Sequence, residues 1–329
     1  MFYDKYIIRL PSLLRWVVAF LISTIRNKTA KEIYSNTGNK SPILEQTEKQ
    51  ARSLQKALEN SEKLKNTYKV FIAMRHWKPF AKETIKRIKS FDTDEIILLP
   101  LYPQFSTTTT YSSIEDFNDS WKEMSCGDKQ ISFKTICCYP IDESFVDAHV
   151  KLIQQKIKEQ KRKNYRLLFS AHGLPKKIIK DGDPYQWQVE QTVMMIVNTM
   201  SINELDYKIT YLSRVGPVEW LKPNTEDEIK IAAEQDKDLI IVPIAFVSEH
   251  VETLVELDIE YAEIAKDRNI NYTRVPALCV EPLFVNALVN MVYDFEKKEE
   301  GIIAPSSGSR LCPKHFKSCP CRIREKKNA

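Results

Sequence analysis

An α/β fold of parallel sheets flanked by helices is the class this sequence predicts, and three observations carry it. From residue 68 onward, short β-branched runs alternate with amphipathic helical stretches, the pattern of parallel strands with helices packed on both faces. Asp94–Ser106 (DEIILLPLYPQFS) and Asp238–Ser248 (DLIIVPIAFVS) both read acid, buried strand, Pro, aromatic, Ser, which predicts two similar lobes. With 329 residues, 43% of them hydrophobic, the chain can core two domains of ~150 residues each.

The expected strands are Lys69–Ala73, Glu95–Leu99, Ser132–Ile136, Arg166–Ser170, Lys208–Tyr211, Asp238–Val242 and Asn271–Val275, with helices between most of them. The lobes divide near residues 150 to 164, where the lysine-rich helix end Lys156–Lys163 precedes the strand at Arg166; that basic run reads as a solvated helix face. The expected organisation is a first lobe over 1–155, a second over 156–298 and a basic, cysteine-containing tail over 299–329. The tail opens with a Gly/Ser/Pro-rich stretch and is expected to be mobile.

Charge excludes one class of partner: 49 Lys+Arg against 44 Asp+Glu leave only +5, too weak a bias for nucleic acid. Seven cysteines without a secretory signal point to a reducing compartment, where thiols stay free or bind metal. Leu13–Ile25 (LLRWVVAFLISTI) contains Arg15 and is short of the ~20 residues of a membrane span. Its apolar residues at helical spacing suit a membrane surface, a greasy substrate mouth or an ordinary core-facing helix.

Ligands of open α/β sheets collect at the carboxyl ends of the strands, so the chemistry should lie in the loops there. Phe169–Pro175 (FSAHGLP) runs a buried strand into His172 and one of only seven glycines. A neutral imidazole there binds a divalent metal or moves protons near neutral pH. A Ser170 nucleophile activated by His172 is the rival reading, weakened by the lack of a G-x-S-x-G elbow. Ser213–Leu221 (SRVGPVEWL) offers Arg214 for a carboxylate and Trp220 as an aromatic face for a flat ligand. Phe246–Glu252 (FVSEHVE) opens a helix on which Glu249, Glu252, Glu256, Glu260 and Glu263 fall within about 80° of one another at helical spacing. A solvated acidic face accounts for that stripe, but less well for a His between two acids directly after a strand end. Together the loops supply His172, Glu252 and His250 as metal or proton groups, with Arg214, Trp220 and Phe246 as contacts for a large flat anionic ligand. These are the parts needed to place a divalent cation in a porphyrin: a loose metal ligand, a base for two pyrrole protons, and apolar walls.

At these residues the chain resembles the ferrochelatases, which insert ferrous iron into a porphyrin. FSAHGLP at Phe169–Pro175 looks like the family signature; SRVGPVEWLKPNT at Ser213–Thr225, PIAFVSEHVETLVELDIEY at Pro243–Tyr261 and LPLYPQFSTTT at Leu99–Thr109 resemble its other long motifs, in family order. The resemblance implies two Rossmann-like lobes around a porphyrin cleft, partly covered by an apolar amino-terminal lip. It implies His172 and Glu252 as iron-site residues, His250 and Glu256 as further active-site positions, and Trp220 and Phe246 as pocket aromatics, with Arg75 added as a further substrate contact. The expected substrates are protoporphyrin IX and ferrous iron, and the expected place is the cytoplasm or the inner membrane face, touched through residues 11–26. Chelation of another metal or of coproporphyrin, or tetrapyrrole binding without catalysis, is the alternative.

Three departures from the family pattern are expected to matter. Family members usually begin with a strand ending in a Leu-Gly-Gly-Pro-like loop, whereas MFYDKYIIRLP resembles text after that strand, as if the start were assigned too late; the first lobe would then lack a central strand, a loss on the order of several kcal/mol. His76 stands where a Tyr is common and reads as a packed or surface residue. Some members hold a two-iron, two-sulfur cluster on tail cysteines, which would here be Cys312, Cys319 and Cys321 with a fourth from Cys126, Cys137 or Cys138. Their C-x6-C-x-C spacing differs from the family's, and free thiols or a zinc site including His315 are the alternatives. Cys279 beside an apolar run reads as core.

Overall fold

The computed structural model describes residues 3–35, 38, 40–125, 131–212, 216 and 218–321. The first half opens with helices α1 (Ser12–Ser35) and α2 (Ile43–Glu59), continues through α3 (Ala81–Lys89) into strand β1 (Glu95–Leu98), and follows with α4 (Ser112–Met124), β2 (Ser132–Ile136) and α5 (Glu143–Lys158). The second runs β3 (Tyr165–His172), α6 (Lys176–Lys180), α7 (Tyr185–Met200), β4 (Tyr207–Leu212), α8 (Thr225–Glu234), β5 (Asp238–Pro243), α9 (Tyr261–Lys266), β6 (Tyr272–Arg274) and α10 (Pro282–Glu296), and the chain returns through β7 (Ile303–Ala304).

The helix starts follow from local chemistry. Asp142 accepts from Phe145 N at 3.1 Å ahead of α5, and Asn224 from Glu226 N at 3.0 Å ahead of α8, each satisfying an amide that the first helical turn leaves free. Pro282 opens α10 at a position where its missing N–H costs nothing.

Two parallel sheets result, with strand orders β1-β2-β7 and β4-β3-β5-β6. Six of the seven expected strands are present within a few residues of their expected bounds. The exception is Lys69–Ala73, which among the described residues joins no ladder. Its apolar, β-branched composition is that of a strand, yet among the described residues no strand pairs with it. In the second sheet, Leu167, Leu168, Phe169, Leu239, Ile240, Ile241 and Val242 have no exposed surface, as strands covered on both faces require. The core runs from Leu54 and Leu58 of α2 through Phe145 and Ile153 of α5 and Val189 and Ile196 of α7 to Phe284 and Leu288 of α10, so both sheets share it.

The stretch after residue 298, expected to be mobile, packs on the body as far as residue 321. Thr135 and Ile136 of β2 pair with Ile303 and Ala304, and Cys312 and Cys319 are buried with Phe316 beside Trp187. Gly182 receives this segment: its carbonyl accepts from Ser318 N at 3.1 Å, its φ is +97°, and a Cβ there would lie 2.8 Å from Lys317 N.

The expected lip is a helix, and its apolar residues are exposed: Leu13 at 75%, Trp16 at 57%, Phe20 at 59% and Ile25 at 75%. Trp16 and Phe20 stack at 5.8 Å. No helix among the described residues is long and apolar enough to cross a membrane.

Candidate metal-insertion site

Chain order in the second sheet creates the site. From β3 the chain goes to β4 on one side and then crosses to β5 on the other, so β3 and β5 flank a topological switch point, where the loops leaving their carboxyl ends part and open a crevice. His172 ends β3, and Phe246 to Glu252 follow β5. The six-residue register Tyr165↔Asp238 to Ser170↔Pro243 brings the two loops together.

Across that crevice His172 Nδ1 lies 2.9 Å from Glu252 Oε2. Tyr185 donates its hydroxyl to the His172 carbonyl at 3.0 Å, bracing the end of the strand. Burial alone would disfavour a charged imidazole, but the Glu252 carboxylate, with Glu256 behind it, raises the His172 pKa above its ordinary value. With Nδ1 committed to Glu252, Nε2 is the nitrogen left to a ligand; among the described residues it has no partner, and the side chain is 38% exposed.

The neighbouring groups have other employment. His250 Nδ1 accepts from Glu252 N at 3.0 Å, which makes it a cap for the following helix. Burial lowers its pKa and keeps the ring neutral, packed 4.4 Å from Phe246, which in turn lies 6.4 Å from the His172 ring. Tyr261 donates to Glu256 at 3.0 Å.

The solvated acidic stripe does not hold as read. Glu249 is turned inward, paired with Arg274 at 2.9 Å and accepting from Thr253 and from Ala277 N. Glu252 and Glu256 are half-buried, and only Glu260 and Glu263 are fully exposed. The cause is local winding: Glu252–Glu260 form a wide π-helical turn rather than the expected α-helix, changing the angular spacing on which the stripe was drawn. The equivalent position in the first lobe, Thr107–Tyr111, is wound the same way, and Ser106 caps it by accepting from Thr108 N at 3.1 Å. The repeated motif therefore extends from strand through loop into π turn.

Of the remaining expected residues, Trp220 bridges to Pro175 in the loop after His172, and its indole N–H is buried without a partner among the described residues. Arg75 is held by Asp4 at 2.8 Å, Asp116 at 3.3 Å and Ser112 at 2.8 Å, with His76 3.7 Å from the same Asp4 carboxylate. Arg214 and Cys126 lie outside the described residues. Sequence reasoning missed three positioning residues. Asp183, fully buried, accepts from Ser106, from Thr107 N and Oγ1 and from Tyr185 N, tying the first lobe's π turn to the base of α7. Gln50 donates to the carbonyls of Val247 and Cys279 and accepts from Ser248, clamping the loop that carries His250. Arg9 bonds Asp181 and Thr107 and so anchors the chain leading into the lip. Asp183 sits in a Lys-Asp-Gly-Asp-Pro turn run, a local signal for a loop but not for partners 76 residues away.

The tail thiols also gather. Cys137 Sγ lies 3.5 Å from Cys138 Sγ and 3.7 Å from Cys321 Sγ, and Gln188 Nε2 reaches both Cys138 and Cys312 Sγ, at 3.4 and 3.2 Å. The hydrogen bond shared by Cys312 and Cys319 pulls the Cys319 thiol's pKa down and pushes that of Cys312 up. No group of three or more His, Cys, Asp and Glu among the described residues is disposed as a metal site, and Cys279 is half-buried.

Two parallel-sheet lobes with an imidazole–carboxylate pair at the switch point define a two-lobed α/β protein of the chelatase fold, shared with a solved structure of SirB from Bacillus subtilis with Fe3+ (TM-score 0.55, 16% identity, 76% of this chain and 89% of that one). The ferrochelatase family profile matches residues 1–295. The curated ferrochelatases of Rickettsia felis and Rickettsia prowazekii are each 52% identical over 324 residues, 98% of this chain and 92% of theirs, and that of Pelagibacter ubique is 48% identical over the same span. The chain belongs to the ferrochelatase family, enzymes of porphyrin metal insertion.

The pair sets a pH dependence. Because the folded-state pKa of His172 is raised, its stabilising contact with Glu252 is fully present below the imidazole's unfolded pKa and is lost as pH rises through the folded one. Glu252→Gln should lower the His172 titration midpoint, read from its ring proton shifts by NMR; an unchanged midpoint would contradict this electrostatic account.

Proposed function

We propose that this chain inserts ferrous iron into protoporphyrin IX at the His172–Glu252 pair. The observation that carries the reading is the 2.9 Å contact at the switch point, within a chain of this family. Insertion replaces two pyrrole N–H bonds by two bonds from nitrogen to Fe2+ and releases two protons, with no change of oxidation state. His172 Nε2, made more basic by Glu252, receives the two pyrrole protons in succession and releases each to water, while the carboxylate stabilises the imidazolium that forms. Phe246 walls the crevice beside the pair, and His250 holds the loop rather than the proton. The exposed apolar face of α1 favours the porphyrin with fewer carboxylates, since extra propionates would demand cations to pair with.

Anaerobic incubation of the purified chain with Fe2+ and protoporphyrin, followed by the metalloporphyrin absorption change, tests this. His172→Ala should lose about 10²–10⁴-fold in kcat, the usual worth of a positioned proton-transfer group, with the circular dichroism spectrum unchanged. Glu252→Gln should lower kcat far more than porphyrin affinity. Near-normal turnover in the His172 variant would remove the pair from the chemistry, and faster turnover of coproporphyrin would reassign the substrate.

Two finer features belong to the same reading. Residues 11–26 rest on the cytoplasmic face of a membrane, supported by the exposure of Leu13, Trp16, Phe20 and Ile25. Flotation with anionic phospholipid vesicles should recover the unaltered chain, and a Trp16→Glu, Phe20→Glu variant should remain unbound; equal recovery of both would refute this contact. Cys312, Cys319 and Cys321, with Cys137 or Cys138 as the fourth ligand, hold a two-iron, two-sulfur cluster. What supports the reading is that the folded tail brings Cys321 Sγ to 3.7 Å from Cys137 Sγ, while Gln188 Nε2 reaches both Cys138 and Cys312 Sγ. Such a group would crosslink the tail to the turn after β2. Anaerobically prepared protein should contain acid-labile sulfide and absorb in the visible, and Cys321→Ser should abolish both; sulfide-free protein would exclude the cluster.

A further inference from the structure

The π turn that carries Glu252 and Glu256 is gripped from one side by the edge strand β6. Such winding occurs mostly as single turns, so a nine-residue run needs support from outside itself. β6 pairs in parallel with β5, Leu239 opposite Tyr272 and Ile241 opposite Arg274. Residues two apart on a strand share a face, so Tyr272 and Arg274 project together. On that face Leu239 and Ile241 share an apolar cluster with Leu257 of the π turn and Tyr261 just beyond it.

Both β6 side chains end on the π turn. Tyr272 donates its hydroxyl to the Leu257 carbonyl at 2.6 Å. Arg274 forks onto Asp258, with Nε to one carboxylate oxygen and Nη2 to the other at 2.7 Å, while its Nη1 donates to Glu249 at 2.9 Å. One guanidinium therefore joins a residue ahead of the π turn to a residue inside it, with Glu252 and Glu256 between them. The near end is closed by a second set of bonds. Thr253 donates its hydroxyl to Glu249 at 2.6 Å and accepts from His250 N at 3.0 Å, and Ala277 N donates to Glu249 at 2.9 Å. The Arg274 side chain is only 12% exposed, so water competes weakly for these bonds. A planar guanidinium holds two carboxylates in fixed directions, which the point charge of a lysine does not do.

We propose that Arg274 and Tyr272 are positioning residues for metal insertion, holding the π turn Glu252–Glu260 wound from β6 and so fixing the aim of Glu252 at His172. The inference rests on the reading of His172 and Glu252 as the reacting pair. Neither β6 residue takes a proton or a metal; each acts on the reaction through the backbone that carries Glu252.

The test uses the full chain in three substitutions of graded severity. Arg274→Met removes the fork, Asp258→Asn weakens it at an exposed position, and Tyr272→Phe deletes one hydroxyl from an otherwise intact ring. Arg274→Met should lower kcat by about 10²-fold, the cost of misplacing a reacting group by ~1 Å, and leave the porphyrin KM unchanged. Hydrogen exchange followed by mass spectrometry should show the amides of 252–261 opening about tenfold faster, with the rest of the chain unaltered. The two milder variants should move both readouts in the same direction by less, and Arg274→Met combined with Asp258→Asn should cost no more than Arg274→Met alone. Arg162→Met removes an ion pair to Asp236 near the start of β5, at the opposite end of the sheet, and should leave kcat unchanged. Full turnover in Arg274→Lys would overturn the proposal, because charge alone would then suffice. An equal fall in kcat for Arg162→Met would overturn it in favour of general destabilisation. Unchanged exchange over 252–261 in all three variants would overturn the clamp even if His172→Ala retained turnover and the pair itself were wrongly assigned. Faster exchange with normal kcat, alongside an inactive His172→Ala, would leave the pair standing and overturn the positioning role.

Discussion

The parallel ladder between β3 and β5 is the constraint on which the site rests. Both strands are buried on both faces, so register is enforced by packing as well as by hydrogen bonds, and a slip of one residue would turn every side chain to the wrong layer. That register delivers His172 and the Phe246–Glu252 loop to the same end of the sheet. A contact of 2.9 Å between residues 80 apart in sequence then depends on no flexible segment longer than the two loops themselves.

Around this ladder the molecule invests polar groups in holding loops rather than in reacting. Gln50, Asp183, Tyr185 and His250 each spend their hydrogen-bonding capacity on backbone near the crevice. This leaves His172 Nε2 as the group poised for a ligand while its other nitrogen is tuned by Glu252. The two π turns belong to this arrangement: widening the first turn of a helix re-aims its carboxylate or hydroxyl side chains without altering the strand that precedes it. Their occurrence at the same place in both lobes gives the repeated sequence motif a structural meaning.

The first lobe is built differently from the second. Its sheet has β1 at one edge and β7, a strand from the far end of the chain, at the other. The carboxyl-terminal segment thus closes the first lobe, crosses Gly182 of the second and brings the thiols of Cys312, Cys319 and Cys321 toward Cys137 and Cys138. Composition misread this segment because Gly, Ser and Pro lower local order only where no tertiary surface receives the chain.

The sequence by itself determined what depends on nearest neighbours and periodicity: the α/β class, six of seven strands, the lobe repeat, and the strand-end loops that hold His172, Trp220, Phe246 and Glu252. These follow because burial on both faces writes continuous apolar runs, and because Gly and Pro punctuate the loops between them. Tertiary structure alone decided that Lys69–Ala73 finds no ladder, that Glu249 turns inward to Arg274, that residues 303–304 add a strand to β2, and that Asp183 and Gln50 join distant loops. Each of these depends on the position of a partner tens to hundreds of residues away, and local pattern carries no information about that distance.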